Sequence, residues 1–309
     1  MSLAFCILGS GSAGNCTALL LKDDHPTPDA SLSTSPSTRD RSCILIDAGL
    51  SPRRTHRLLA PLGRTIDDVA AIVLTHLDTD HFHAGWLKVI ARRAERRAPL
   101  TLHIHRRHRN VAWRSGLTAR HVVLFEDVLE LPGNVRTESV LLAHDDLGSV
   151  GFVLERDGHR LGYATDLGRV SRGLLDRFVG LHALAIESNY DPPMQRDSLR
   201  PAFLKRRIMD GRGHLSNEQA LEAVRHIERQ SRWLSQIALL HLSQECNCPQ
   251  RVHRLWQREM PHALHRLTIS HQRRPTPVLA ITGPRHALRP IVGRQPSLFD
   301  TLETNAVAC

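Results

Sequence analysis

Within "THLDTDHFHAG", residues 75–85, His76, Asp78, Asp80 and His81 place four potential metal ligands in six residues. Side chains alternate along an extended segment, so His76 and Asp78 can reach one ion, whereas Asp80 and His81 enter the following turn and can face another. One loop can therefore seed two sites. A lone His or Asp is ordinarily a surface or capping residue, but four together, after an apolar run and before Gly85, argue for metal chemistry. Further candidates close later apolar runs: His144 after "SVLLA", Asp166 after "LGYAT" and His241 after "IALL". Each stands where a short side chain can turn into a common rim.

The elements that must position these residues are short apolar strands alternating with turns and amphipathic helices. "FCILGS", "CILIDAG", "VAAIVLTH", "LTLHIH", "HVVLFE", "SVLLAHD", "GFVLE", "RLGYATD", "ALAIES" and "IALLHLS" read as strands. Helices are expected at 52–62, 84–97, 170–178, 216–230 and 249–259, the fourth with Ser216 and Asn217 as cap candidates. The mixture predicts an α/β protein with two sheets covered by helices. Residues 23–42, rich in Pro, Ser, Thr and Asp, read as a disordered insertion between two strands. The expected division is a catalytic domain over 1–275 and a tail over 276–309.

The chain has 309 residues, 41% of them apolar, enough for a substantial core. Its 41 basic residues against 31 acidic ones give a net charge of +10, which suits a polyanionic partner but is also compatible with a merely solvated surface. Residues 91–120 hold nine arginines and one acid around Trp113, and Lys205, Arg206 and Arg207 stand shortly before His214. Such clusters can track a nucleic-acid backbone. No apolar run is long enough to span a membrane, and the six scattered cysteines form no secreted disulfide framework, so a cytoplasmic location is expected. Cys246 and Cys248 read as ordinary thiols.

The pattern His76-x-Asp78-x-Asp80-His81, then His144, Asp166 and His241, resembles the metallo-β-lactamase fold, an αββα sandwich of two mixed β-sheets flanked by helices, in its two-metal phosphodiesterase and nuclease branch. More narrowly, "LGSGSAGN", "LIDAGLS", "HDDLGSVGFVLERDGHRLGYATDLG", "ESNYD", "LKRRIMDGRGHLSNEQA" and "LLHLSQECN" resemble the YycJ (WalJ) family of bacterial exonucleases over roughly residues 1–250. The resemblance implies two divalent ions, one on His76, Asp78 and His144 and the other on Asp80, His81 and His241, with Asp166 bridging. It also implies a bracing role for Asp47, behind the ligands, and a catalytic His214 beside Asp80. Ser10, Ser12, Asn15 and Asn189 are candidate substrate contacts, with a plain tight turn as the alternative for the glycine-rich loop.

Asp78 departs from the pattern, since most relatives have His there. A carboxylate is a harder donor that gives less to zinc and suits manganese or iron better; the expected ions are zinc or manganese, with iron a further option. The expected activity is that of a two-metal phosphodiesterase, a DNA exonuclease acting 5′ to 3′ in repair by resemblance. The alternatives are an RNA-processing nuclease, a cyclic phosphodiesterase, or a non-catalytic DNA-binding scaffold with a vestigial metal site. Finally, Gln295, Leu298 and Phe299 in "RQPSLFDTL" resemble the Q-x-x-L-F peptide with which bacterial repair proteins grip the polymerase sliding clamp.

Overall fold

Strands β1 (Leu3–Gly9), β2 (Cys16–Leu21) and β3 (Cys43–Ile46) are buried at every residue, as continuous apolar runs covered on both faces must be. The computed structural model describes residues 3–21, 42–96 and 98–285. Alternation along β1 sorts its side chains into two layers: Leu3, Phe5 and Ile7 face one apolar cluster, and Ala4, Cys6 and Leu8 face another.

Among the described residues two seven-stranded sheets form. The first adds β4 (Val69–Leu74), β5 (Thr101–His105), β6 (Val122–Phe125) and β14 (Leu279–Ala280), in the order β14-β1-β2-β3-β4-β5-β6. The second contains β7 (Val128–Leu131), β8 (Val135–Leu142), β9 (Ser149–Arg156), β10 (His159–Ala164), β11 (Ala183–Glu187), β12 (Gln236–Leu240) and β13 (Leu267–Ile269), in the order β13-β12-β11-β10-β9-β8-β7. Parallel and antiparallel pairs occur in both, so the sheets are mixed. Phe5, Phe152 and Tyr163 fill the layer between the sheets. Each such aromatic contributes on the order of 1.5–3 kcal/mol by leaving water.

Helices cover both outer faces. α1 (Pro52–Leu59), α2 (Trp86–Glu95) and α3 (Arg109–Arg114) pack Leu59, Trp86, Ile90 and Ala112 on the first sheet. α4 (Arg172–Arg177), α7 (Asn217–Arg229) and α8 (Pro249–Glu259) pack Leu174, Val224, Ile227 and Trp256 on the second. α5 (Pro192–Asp197) and α6 (Ala202–Met209) lie between them in sequence. The α7 start is a capping box: the Ser216 hydroxyl accepts from Gln219 N at 3.2 Å, and Gln219 Oε1 accepts from Ser216 N at 2.8 Å. Asn217 instead donates from its amide to Asn247 and accepts from the Ser188 hydroxyl.

The expected αββα architecture is the one observed, with two differences. Helices α3, α5 and α6 were not foreseen: they are only six to eight residues long, and prolines punctuate the last two, so their periodicity is brief. The expected boundary at 275 falls too early. Thr276 Oγ1 accepts from Ile7 N at 3.0 Å, and Leu279 and Ala280 pair with Phe5 and Ala4, so the chain is still completing the first sheet there. A two-residue edge strand is too short to show alternation. The bulk of the expected insertion, residues 23–41, and the clamp-like Gln295, Leu298 and Phe299 lie outside the described residues. No helix among the described residues is long and apolar enough to cross a membrane.

Candidate metal centre

The expected site residues follow directly on the ends of β3, β4, β8, β10 and β12, so one edge of the sandwich gathers loops from both sheets. The metal loop is braced from behind by Asp47, which is wholly buried. Its Oδ1 accepts from Thr75 N at 2.9 Å and from Thr75 Oγ1 at 3.0 Å, while Oδ2 accepts from His81 Nδ1 at 2.8 Å. Backbone bonds from His81 N and Phe82 N to the Asp78 carbonyl close the turn at 2.8 and 2.9 Å. Gly49 packs so tightly that a Cβ would stand 1.7 Å from the Asp80 carbonyl oxygen, which excludes a side chain there.

Asp47, Asp166 and His241 all have positive φ, at 60°, 51° and 54°, in the left-handed region that disfavours side chains. Strain of this kind persists where surrounding bonds fix the backbone. Asp47 N donates to the Val73 carbonyl at 2.9 Å, Ser149 Oγ donates to the Asp166 carbonyl at 2.7 Å, and His241 N donates to Ser10 Oγ at 2.8 Å.

This framework brings ligand atoms of His76, Asp78 and His144 within 4.8 Å of one another, and does the same for Asp80, His81 and His241. Asp166 stands between the groups, within that distance of His76 and His81 on one side and of His241 on the other. The rings share a pattern. His81 Nδ1 is engaged by Asp47, His144 Nδ1 donates to the Gly213 carbonyl at 3.0 Å, His76 Nδ1 pairs with Thr75 Oγ1 at 3.0 Å, and His241 Nδ1 lies 3.0 Å from Glu187 Oε1 and 2.9 Å from Asp166 Oδ1. Engaging one ring nitrogen orients the other toward a cation.

Burial disfavours charge on these rings, yet the outcomes differ. His76, buried and beside His81, is held well below the ordinary histidine value. For His81 and His241 burial is outweighed: Asp166 acts on both, helped by Asp47 on the first and by Asp80 and Glu187 on the second, and both are raised well above it. The carboxylates thus demand positive charge at the ring positions. His241 Nε2 is buried without a hydrogen-bond partner, its nearest carboxylate oxygen being Asp80 Oδ2 at 3.6 Å. An unpartnered imidazole nitrogen amid carboxylates fits the donor set of a divalent cation such as zinc, manganese or iron. Asp78 is the most open of the group, with 60% of its side chain exposed.

Glu187 is a central residue that sequence reasoning missed. Fully buried at the end of β11, it places Oε1 2.8 Å from His214 Nδ1 and 3.0 Å from His241 Nδ1, while Oε2 accepts from Leu167 N and Leu215 N at 3.1 Å each. Burial would raise its pKa, but His214 and His241 outweigh burial and hold the carboxyl below its ordinary value. The glutamate opening "ESNYD" was its one sequence signal.

Three expected substrate contacts prove to be braces. Asn15 is buried, with Nδ2 2.9 Å from His81 Nε2; Ser10 holds the His241 amide; and Asn189 Nδ2 donates to the His241 carbonyl at 2.7 Å. All three are occupied with backbone and ring atoms because the strained loops need internal donors and acceptors. Ser12 alone of the four is exposed and lines the cleft. Trp113 packs against the helix layer, and Arg93 spends its guanidinium on the Ile66, Val69 and Ala98 carbonyls. Of the expected basic clusters Arg207 lines the cleft, joined there by Arg200 and Arg212. The cleft over Asp80, Asp166, His214 and His241 has a volume of about 470 Å³ and adjoins one of about 460 Å³ over His76, Asp78 and His144.

Residues 42–236 match the domain family described as "Beta-lactamase superfamily domain". The chain belongs to this superfamily. As a superfamily member with a histidine and carboxylate cluster at the sandwich edge, it is a metallo-β-lactamase-fold hydrolase, a fold that implies divalent metals. It is 28% identical over 247 residues to the exodeoxyribonuclease YycJ of Bacillus anthracis, covering 80% of this chain and 85% of that one. It is 29% identical over 254 residues to the exodeoxyribonuclease WalJ of Streptococcus pneumoniae serotype 2, covering 81% and 85%. Among solved structures, the metallo-β-lactamase fold protein YhfI from Bacillus subtilis superimposes with a TM-score of 0.62 at 12% identity, covering 89% of this chain and 98% of that one, a likeness of fold.

Proposed function

We propose that the chain is a two-metal phosphodiesterase that degrades DNA, an exonuclease working 5′ to 3′ in repair in the cytoplasm. The observation that carries this reading is the pair of ligand groups, His76, Asp78 and His144 against Asp80, His81 and His241, meeting at Asp166 beneath a cleft bordered by arginines. The DNA substrate is supported by the exodeoxyribonuclease relatives.

When bound, divalent cations supply Lewis acidity that lowers the pKa of nearby water and neutralises charge on a phosphoryl group. The chain's own groups do the rest. Asp47 holds the His81 ring through Nδ1, and Glu187 holds those of His214 and His241. His214, with Nδ1 tied to Glu187, has Nε2 available to carry a proton to the leaving oxygen. Arg200, Arg207 and Arg212 receive the flanking phosphates, an electrostatic contribution that weakens with salt.

Metal analysis of the purified protein, joined to a panel of end-labelled DNA and RNA substrates, tests the reading. Two divalent ions per chain and release of nucleotides from one DNA end are expected. Full activity at one metal or fewer sinks the two-metal mechanism, and RNA cleavage without DNA cleavage replaces the substrate.

Asp78→His should shift the activity profile toward zinc relative to manganese, because imidazole replaces a hard oxygen donor. An unaltered profile across Mn²⁺, Zn²⁺ and Fe²⁺ removes Asp78 from the ligands. The clamp-binding reading of Gln295, Leu298 and Phe299 rests on the sequence alone. A peptide spanning 292–302 should bind a bacterial sliding clamp with roughly micromolar affinity and lose binding when both Leu298 and Phe299 become Ala. Equal binding by the doubly substituted peptide ends that partner assignment.

A further inference from the structure

Six large apolar side chains stand exposed among the described residues; of these, Leu147 lines the cleft, and Leu199 and Phe203 immediately precede in sequence the lining residues Arg200 and Leu204. Leu199 is fully exposed, and Phe203 is 72% exposed at the start of α6. The chain has only 4% aromatic residues, so an aromatic ring left in water at this position calls for a physical reason. It has no role in the core: α6 buries Ile208 and packs Leu204 and Met209 with Tyr190 and Cys246, leaving Phe203 out of that cluster.

The same segment is strongly basic. Arg196, Arg200, Lys205, Arg206, Arg207 and Arg212 outnumber Asp197 and Asp210 between residues 196 and 212, although Arg200, Arg207 and Arg212 are ion-paired with Glu245, Asp145 and Asp146 at 2.7, 2.6 and 2.9 Å. Arg207 also lines both halves of the cleft. A ring beside a run of cations next to a phosphodiester-cleaving centre has the two parts needed to hold a single strand: charge for its backbone and an apolar face for a base. A protein ligand of matching chemistry would have to be acidic and would occlude the cleft, whereas an unpaired strand leads its phosphate into it.

We propose that Phe203 is a stacking platform for one unpaired nucleobase of the strand whose phosphate lies over the ligand cluster, with Leu199 extending its apolar edge. Phe203 positions substrate and does not take part in bond cleavage. This proposal rests on the nuclease reading above and deepens it by naming how the strand is held.

The test compares wild type, Phe203→Ala and Phe203→Trp, each loaded with manganese, on three probes: bis(p-nitrophenyl) phosphate, a single-stranded oligodeoxynucleotide, and the same oligonucleotide carrying 2-aminopurine at successive positions from its ends. Stacking on an aromatic side chain is typically worth a factor of about 5–100 in affinity. Phe203→Ala should therefore raise KM for the oligonucleotide by about that factor, with kcat within about twofold. Hydrolysis of the small diester should be unchanged, and Phe203→Trp should restore KM. One 2-aminopurine position should show quenching by wild type and by Phe203→Trp that Phe203→Ala abolishes. Cleavage by wild type with equal KM and equal quenching in Phe203→Ala overturns the stacking proposal and leaves the nuclease reading standing. A wild-type protein that hydrolyses the small diester but neither binds nor cuts the oligonucleotide overturns both.

Discussion

Asp80→Asn should lose phosphodiester hydrolysis by more than the roughly 10–100-fold that a change behind a metal ligand typically costs. Asp80 Oδ2 lies 3.6 Å from His81 Nε2 and 3.6 Å from His241 Nε2, facing both rings of the second group. Burial works against its charge, but the His241 and His81 rings outweigh burial and hold its pKa below the ordinary aspartate value. Asparagine has nearly the same shape, so the turn that carries it should persist while the anionic donor is lost. Metal analysis should then find fewer than two ions per chain. DNA affinity, measured in low salt, should remain near wild type if, as proposed, it comes from arginines outside the ligand groups. An equal loss of affinity would favour the non-catalytic scaffold, and unchanged turnover would remove Asp80 from the site.

His214→Ala should lower kcat by ~10²–10⁴ while leaving metal content and DNA affinity near wild type, the loss expected when a positioned proton donor is removed. Among the described residues His214 belongs to neither ligand group around His76 or His81; it joins the assembly of Asp166, Glu187 and His241. Glu187 Oε1 lies 2.8 Å from its Nδ1, and 20% of the His214 side chain remains exposed to the cleft. That combination orients a ring without enclosing it. Added imidazole should restore part of the lost rate. A His214→Ala protein that loses a metal ion in proportion to its activity would instead make this residue a ligand. The shared Glu187 also predicts that His214→Ala and Glu187→Gln combine less than additively, since the carboxylate acts in part through this ring.

The residue types of the site were legible because they occupy positions that local chemistry marks. His76 through His81 crowd one turn, and His144, Asp166 and His241 each follow an apolar run by one or two residues, where a side chain emerges from the sheet. Ten strands were legible for the same reason, since burial on both faces demands unbroken apolar runs, whereas β2, β7, β13 and β14 were not among the expected segments. Helix α7 announced its start through a capping box, whose bonds reach three residues and no further.

What the tertiary structure alone decided depends on pairs distant in sequence. Glu187 ends an ordinary buried strand, and its partners His214 and His241 lie 27 and 54 residues onward, so no spacing betrays it. Ser10, Asn15 and Asn189 could be read from sequence as substrate contacts; only packing shows them spent on His241 and His81, 231, 66 and 52 residues away. Likewise the pairing of β14 with β1 joins nearly opposite ends of the described chain. A sequence displays periodicity and short-range bonding, which the backbone satisfies within a few residues. Which polar group meets which across the fold is set by how two sheets pack, and that packing turned one ligand-rich loop into a site built from both.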